Sequence, residues 1–246
     1  MVDYADKTVV ITGASSGLGA GMAQEFERCG MRLGLCSRRP PALEASSRVV
    51  SVQLDVTDDA AVDSFAAHVA DSFGAIDLWI NNAGVLQPIK PLRDISSSEY
   101  SEHLAVNVMG VFHGTRAYAR HVRGRDGKGV LVNISSGAAR AGYAGWSAYC
   151  AAKAAVDLMT ECVALEEREA ELNAYSVAPG VIDTAMQEAI RACSADVFPS
   201  VEKFHELKRD NAFSTPEDIA RKLLALAFSP TRGAQGPTVR IDLRSE

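Results

Sequence analysis

Eight residues near the start of the chain constrain its fold more than any other stretch: Thr12-Gly13-Ala14-Ser15-Ser16-Gly17-Leu18-Gly19. They follow a β-branched run, Lys7 to Thr12, and lead into a helical pattern from Leu18 to Cys29 that Gly30 closes. A strand, a glycine-rich turn and a helix in that order are how a doubly wound α/β sheet begins. Glycine allows the turn to be tight and lets a ligand come close to the backbone. The helix start beyond it offers unpaired N–H groups and a positive dipole end, which suit a pyrophosphate. The spacing is Gly-x-x-x-Gly-x-Gly, distinct from the Gly-x-Gly-x-x-Gly of the broader dinucleotide-binding group.

The rest of the chain keeps the alternation. Further strands are expected at Arg32–Cys36, Val49–Leu54, Ile76–Ile80, Val130–Ile134, Asn173–Val177 and Thr238–Leu243. Helices are expected from Asp58, a fitting N-cap, to Phe73, from about Ser98 to Val122, from about Ser147 to Arg168, and from Thr215-Pro216 onward. Strands alternating with helices give a parallel sheet covered on both faces. No Gly/Pro/Ser-rich linker or repeat divides the 246 residues. The expectation is one α/β domain over residues 1–246, doubly wound and Rossmann-type, with a mostly parallel sheet of about seven strands. The segment from about 183 to 214 is less regular and follows a strand end, so it reads as a substrate lid.

Composition excludes several classes. A net charge of −6 with no basic run longer than Arg38-Arg39 argues against a nucleic-acid partner. No apolar stretch approaches a membrane span, and the N-terminus lacks a basic segment followed by an apolar one. A cytoplasmic protein is expected. The five cysteines (29, 36, 150, 162 and 193) fit free, mostly buried thiols in a reducing compartment. The five histidines show no metal-ligand spacing with Cys or acids, so no metal site is expected.

Tyr149 and Lys153 stand four residues apart on an expected helix, hence on one face. An ammonium beside a phenol favours the phenolate, which would make Tyr149 a proton donor and acceptor near neutral pH. Alone, a core tyrosine beside a snorkelling lysine is the commoner explanation. A second choice concerns the cofactor. An NAD site presents Asp or Glu at the end of the second strand; here that strand ends Cys36-Ser37-Arg38-Arg39. A guanidinium pairs well with a 2′-phosphate. NADP(H) is therefore expected, with Arg38 as the main contact and Arg39 second; a solvated surface pair is the other explanation.

Together these motifs resemble the short-chain dehydrogenase/reductase family over nearly the whole chain. The glycine loop is similar to that family's cofactor loop. The resemblance assigns cofactor contacts to Gly13, Ser15, Ser16, Gly17, Leu18 and Gly19. It extends them to Asp55 and Val56 after the third strand, to Asn82-Ala83-Gly84 after the fourth, and to Lys153. Pro179, Gly180, Ile182, Thr184 and Met186, after the sixth strand, complete the nicotinamide side. Asn107, Ser136, Tyr149 and Lys153 match the catalytic tetrad, in which the Asn distorts its helix and supports a water-borne proton path. Gly145-Trp146-Ser147-Ala148-Tyr149-Cys150 and Ala178-Pro179-Gly180-Val181-Ile182-Asp183 resemble the sepiapterin reductase group, to which bacterial benzil reductases belong.

The resemblance implies hydride transfer from NADPH to a ketone or vicinal dicarbonyl, sepiapterin- or benzil-like. Tyr149 would donate a proton and Ser136 would stabilise the oxyanion. Ser136, Tyr149, Gly180 and Asp242 would meet the small-molecule substrate, Asp242 being equally explicable as a surface carboxylate. A 3-oxoacyl thioester reductase is the alternative within enzymes; Lys203, Lys208 and Arg209 give a faint basic patch for an acyl carrier. A non-catalytic NADP-binding redox sensor is the alternative outside them. Homodimers or homotetramers through the two long helices are implied as well.

Overall fold

β1 (Thr8–Thr12) lies inside a seven-stranded sheet of order β3-β2-β1-β4-β5-β6-β7, parallel at every pairing. The other strands are β2 (Arg32–Ser37), β3 (Val49–Gln53), β4 (Leu78–Asn81), β5 (Gly129–Ile134), β6 (Leu172–Ala178) and β7 (Arg240–Asp242). The computed structural model describes residues 4–125, 128–228 and 240–242. Of the expected last strand, Thr238, Val239 and Leu243 fall outside the described residues.

Burial of both sheet faces explains the unbroken apolar runs, since every residue of β1 and of β5 is buried. Alternate β1 side chains serve opposite layers. Val9 and Ile11 pack with Met22 and Phe26 of α1 (Gly17–Arg28) and with Ile219 and Leu223 of α8 (Pro216–Phe228). Val10 faces the other layer. There Phe65 and Val69 of α2 (Asp59–Phe73) meet Trp79 and the buried Tyr118 of α4 (Gly110–Arg123). Filling either layer with Leu- or Phe-sized side chains contributes about 1.5–3 kcal/mol each.

The expected helix starts are present. Asp58 accepts from the Ala61 N–H at 3.0 Å, and Thr215 Oγ1 accepts from the Asp218 N–H at 3.1 Å. The expected helix from Ser98 to Val122 is divided instead. α3 (Ser97–Leu104) passes through a π-helical turn, Ala105–Met109, before α4 begins. The lid is also more regular than expected, containing α6 (Ala185–Arg191) and α7 (Val201–Arg209). α5 runs Ser147–Glu166. The thiols are less hidden than expected: Cys36 is buried, Cys162 exposed, and the other three intermediate.

Sheet order reverses at β1, which pairs with β2 on one side and β4 on the other. A crevice forms outside the carboxyl ends of strands at such a switch point. The loops leaving β1, β4, β5 and β6 all converge there.

Candidate active site

One cleft of about 990 Å³ opens at this point, and nearly every expected site residue lines it. At one end lie Gly13, Ser15, Ser16, Gly17, Leu18 and Gly19, with Arg38 and Arg39 beside them. Gly13 and Gly17 have φ of 71° and 56°, the left-handed region that glycine occupies without strain. Ser16 caps α1 in extended conformation with no side-chain hydrogen bond to the helix, so the first-turn N–H groups face outward. A Cβ on Gly19 would sit 2.3 Å from the Gly13 carbonyl oxygen and 2.5 Å from Asn82 Nδ2. Asn82 uses that Nδ2 to donate to the carbonyls of Thr12 and Gly13, at 3.0 and 3.3 Å. The loop is thus a cradle of backbone donors whose shape rests on missing side chains. This donor set fits a dinucleotide pyrophosphate.

Both arginines are exposed, and Arg39 NH2 donates to Ser16 Oγ at 3.1 Å. Val56 lines the cleft, but Asp55 does not; its carboxylate accepts from the Thr57 N–H and hydroxyl at 3.0 and 2.9 Å. Asn82, Ala83 and Gly84 line the cleft, as do Pro179, Gly180, Ile182, Thr184 and Met186. Asp242 ends β7 in register with Ala178; its side chain lies outside the described atoms.

Asn107, Ser136, Tyr149 and Lys153 come together at the cleft's middle. Asn107 is fully buried inside the π-helical turn. Its Oδ1 accepts from the Val85 N–H at 3.1 Å and its Nδ2 donates to the Val85 carbonyl at 2.9 Å. That exchange pins the loop after β4 to the widened helix. Gly84 is needed beside it, since a Cβ there would stand 2.9 Å from Asn107 Oδ1.

The electrostatics correct the expectation for Tyr149. Burial raises its phenol above the usual value near 10; the hydrogen-bonded Ser136 hydroxyl opposes this and Cys150 adds to it. Burial also lowers the Lys153 ammonium to about 8, against the pull of Asp157. Lys153 Nζ lies 5.7 Å from the Tyr149 ring centroid and donates to the Ile134 carbonyl at 2.8 Å. Desolvation is the largest cause in both groups. Tyr149 is therefore a protonated acid at neutral pH, the form a proton donor needs.

Sequence reasoning missed His103, one helical turn before Asn107. It is buried; its Nδ1 lies 2.7 Å from the Gln87 carbonyl and its Nε2 3.0 Å from Asn107 Nδ2. These partners assign the proton to Nδ1 and leave Nε2 as acceptor. Burial lowers its pKa below 6.5, the nearby Lys153 charge acting the same way and the Gln87 carbonyl opposing. His121 is lowered too, by burial and then Arg125. A histidine whose folded value lies below its unfolded one contributes fully above the unfolded pKa. That contribution is lost as pH falls from about 6.5 through the folded value. Thermal melting should thus fall as pH drops below about 7. His103→Gln should shallow that acid-side slope; an unchanged slope would remove His103 from the effect.

Also missed was an aromatic wall, which sequence-distant residues build. Trp146 stacks on Phe198 at 4.5 Å and meets Tyr149, Tyr143 and Phe204 at 5.5, 5.3 and 5.5 Å. Its only sequence signal is the aromatic content of the stretch from Tyr143 to Tyr149.

Comparison with known proteins agrees with this geometry. A family model described as short chain dehydrogenase matches residues 7–194. A benzil reductase ((S)-benzoin forming) of Bacillus subtilis (strain 168) is 34% identical over 233 residues, covering 92% of this chain and 95% of that protein. A 3beta-hydroxysteroid dehydrogenase 1 of Eggerthella lenta is 31% identical over 249 residues, covering 98% and 94%. The crystal structure of the KRED1-Pglu enzyme superposes with a TM-score of 0.83 at 30% identity, covering 91% of this chain and 95% of that one.

Proposed function

This chain belongs to the short-chain dehydrogenase family, and from that premise we propose that it reduces a ketone or vicinal dicarbonyl with NADPH, giving a secondary alcohol. The family's nicotinamide dinucleotide supplies the hydride when bound. The chain's own residues do the rest. The Tyr149 hydroxyl hands its proton to the carbonyl oxygen as negative charge develops there. The Ser136 hydroxyl donates a hydrogen bond to the same oxygen. Lys153 keeps positive charge next to the tyrosine that is losing its proton, and Asn107 holds the adjoining loop through Val85. One observation carries the reading: a protonated, partly buried Tyr149 hydrogen-bonded to Ser136 in the same cleft as the glycine cradle. NADPH oxidation by purified protein across diketones, pterins, 3-oxoacyl thioesters and steroids tests it. No consumption with any carbonyl would leave the non-catalytic sensor.

The diketone reading is favoured over the thioester one by the lid charges. Lys208 pairs with Asp183, and Arg209 with Glu202 at 2.8 Å, so of the basic patch only Lys203 is left for an acyl carrier among the described residues. NADPH preference rests on Arg38, exposed at the end of β2 with no acid beside it in sequence. Arg38→Ala should lower kcat/KM for NADPH by about thirtyfold, the scale of a charge-assisted hydrogen bond, and leave NADH nearly unchanged. Equal or better use of NADH by the wild type would overturn this assignment. Assembly of two or four copies through α4 and α5 fits the exposed Phe112, Leu158 and Leu165 on those helices; light scattering measures it. A cytoplasmic location fits the free thiols. Among the described residues no helix is long and apolar enough to cross a membrane.

A further inference from the structure

The substrate end of the cleft has a direction. From Tyr149, the aromatic wall runs to Trp146 at 5.5 Å and on to Tyr143 at 5.3 Å. Leu86, Met186 and Ile190 keep the surroundings apolar. The wall ends in a charge: Lys203 of α7 places Nζ 5.4 Å from the Tyr143 ring centroid and donates to its hydroxyl at 3.1 Å.

That charge is not balanced locally. Lys203 makes no ion pair among the described residues. Asp183 is the acid that lines the cleft, and it is already held by Arg191 at 3.0 Å and by Lys208. Having donated one N–H to Tyr143, Lys203 keeps two more, and the Tyr143 O–H is left to donate outward. An ammonium and a phenol side by side form a fork for an anionic oxygen pair.

We infer that this end of the cleft selects an aryl ketone carrying a carboxylate at the far edge of its ring, held by Lys203 and the Tyr143 hydroxyl. The ring lies along Trp146, and the reacting carbonyl meets Ser136 and Tyr149. The rings of Trp146 and Tyr143 stand between Tyr149 and Lys203, so the charge lies away from the reacting carbon and not next to it. This rests on the carbonyl-reductase reading and adds the charge and shape of its substrate.

The probes are benzil, para-carboxybenzil and the methyl ester of that acid, each with NADPH. The acid is expected to exceed its ester in kcat/KM by about five- to tenfold, and added salt should shrink that ratio. Lys203→Met should bring the ratio to about one, and Lys203→Glu should invert it. Arg209→Gln, which removes a lid cation already paired with Glu202, should leave the ratio as in the wild type. Turnover of benzil and the ester with no preference for the acid would sink this inference and spare the reductase reading. Turnover of none of the three, nor of any other carbonyl, would sink that reading itself. Equal losses of the ratio in Lys203→Met and Arg209→Gln would replace the local fork with a diffuse field and overturn the assignment.

Discussion

Tyr149→Phe is expected to lower turnover of a diketone by about a thousandfold, within the range a positioned general acid contributes. NADPH binding should stay within about twofold. The substitution removes one oxygen and little else. The ring keeps its edge contacts with Trp146 and His103, at 5.5 and 6.1 Å, so the cleft should hold its shape. What disappears is the proton for the developing alkoxide and the partner of Ser136. The nearest cation does not replace it: the Lys153 ammonium is committed to the Ile134 carbonyl. Single-turnover NADPH oxidation reads the chemical step directly. A rate within tenfold of wild type would take the phenol out of the reaction.

Gly19→Ala is expected to weaken NADPH binding by about a hundredfold, roughly 2.7 kcal/mol. The new methyl would fall 2.3 Å from a backbone oxygen and 2.5 Å from Asn82 Nδ2, and neither can move alone. Gly13 is already in the left-handed region, and a Cβ on it would lie 2.7 Å from Ala83 Cα, so its carbonyl has no slack. The loop must open, breaking the bonds from Asn82 to Thr12 and Gly13. Fluorescence titration with NADPH measures the loss. An unchanged dissociation constant would show that the cradle does not hold the pyrophosphate.

The cradle was legible from sequence because its glycines answer to a backbone rule that holds wherever a strand turns sharply into a helix. Tyr149, Lys153 and Arg38 were legible because each occupies a defined position on one local element. Other parts depend on relations that local patterns do not carry. The pKa of Tyr149 was misjudged because spacing reports proximity to Lys153 and says nothing of shared burial. His103 was passed over because its role comes from Gln87 and Asn107, which the tertiary fold brings to its two nitrogens. α6 and α7 are short, and their reason to be helical is the docking of Ile190, Phe198, Val201 and Phe204 on Trp146, far earlier in the chain. The irregular pattern of that segment reads as loop until those contacts exist.

The π-helical turn at Ala105–Met109 carries one last consequence. A helix with such a turn contains a residue more than its length requires. The surplus swings Asn107 out of the regular ladder and onto the Val85 backbone. Deleting one residue of the turn would restore an even helix and remove the bulge that carries Asn107 onto the Val85 backbone. His103, Asn107 and the loop after β4 would then lose their common register, with every side chain chemically intact. In this stretch the count of residues matters more than their identity: the exposed Met109 can be exchanged, but it cannot be removed.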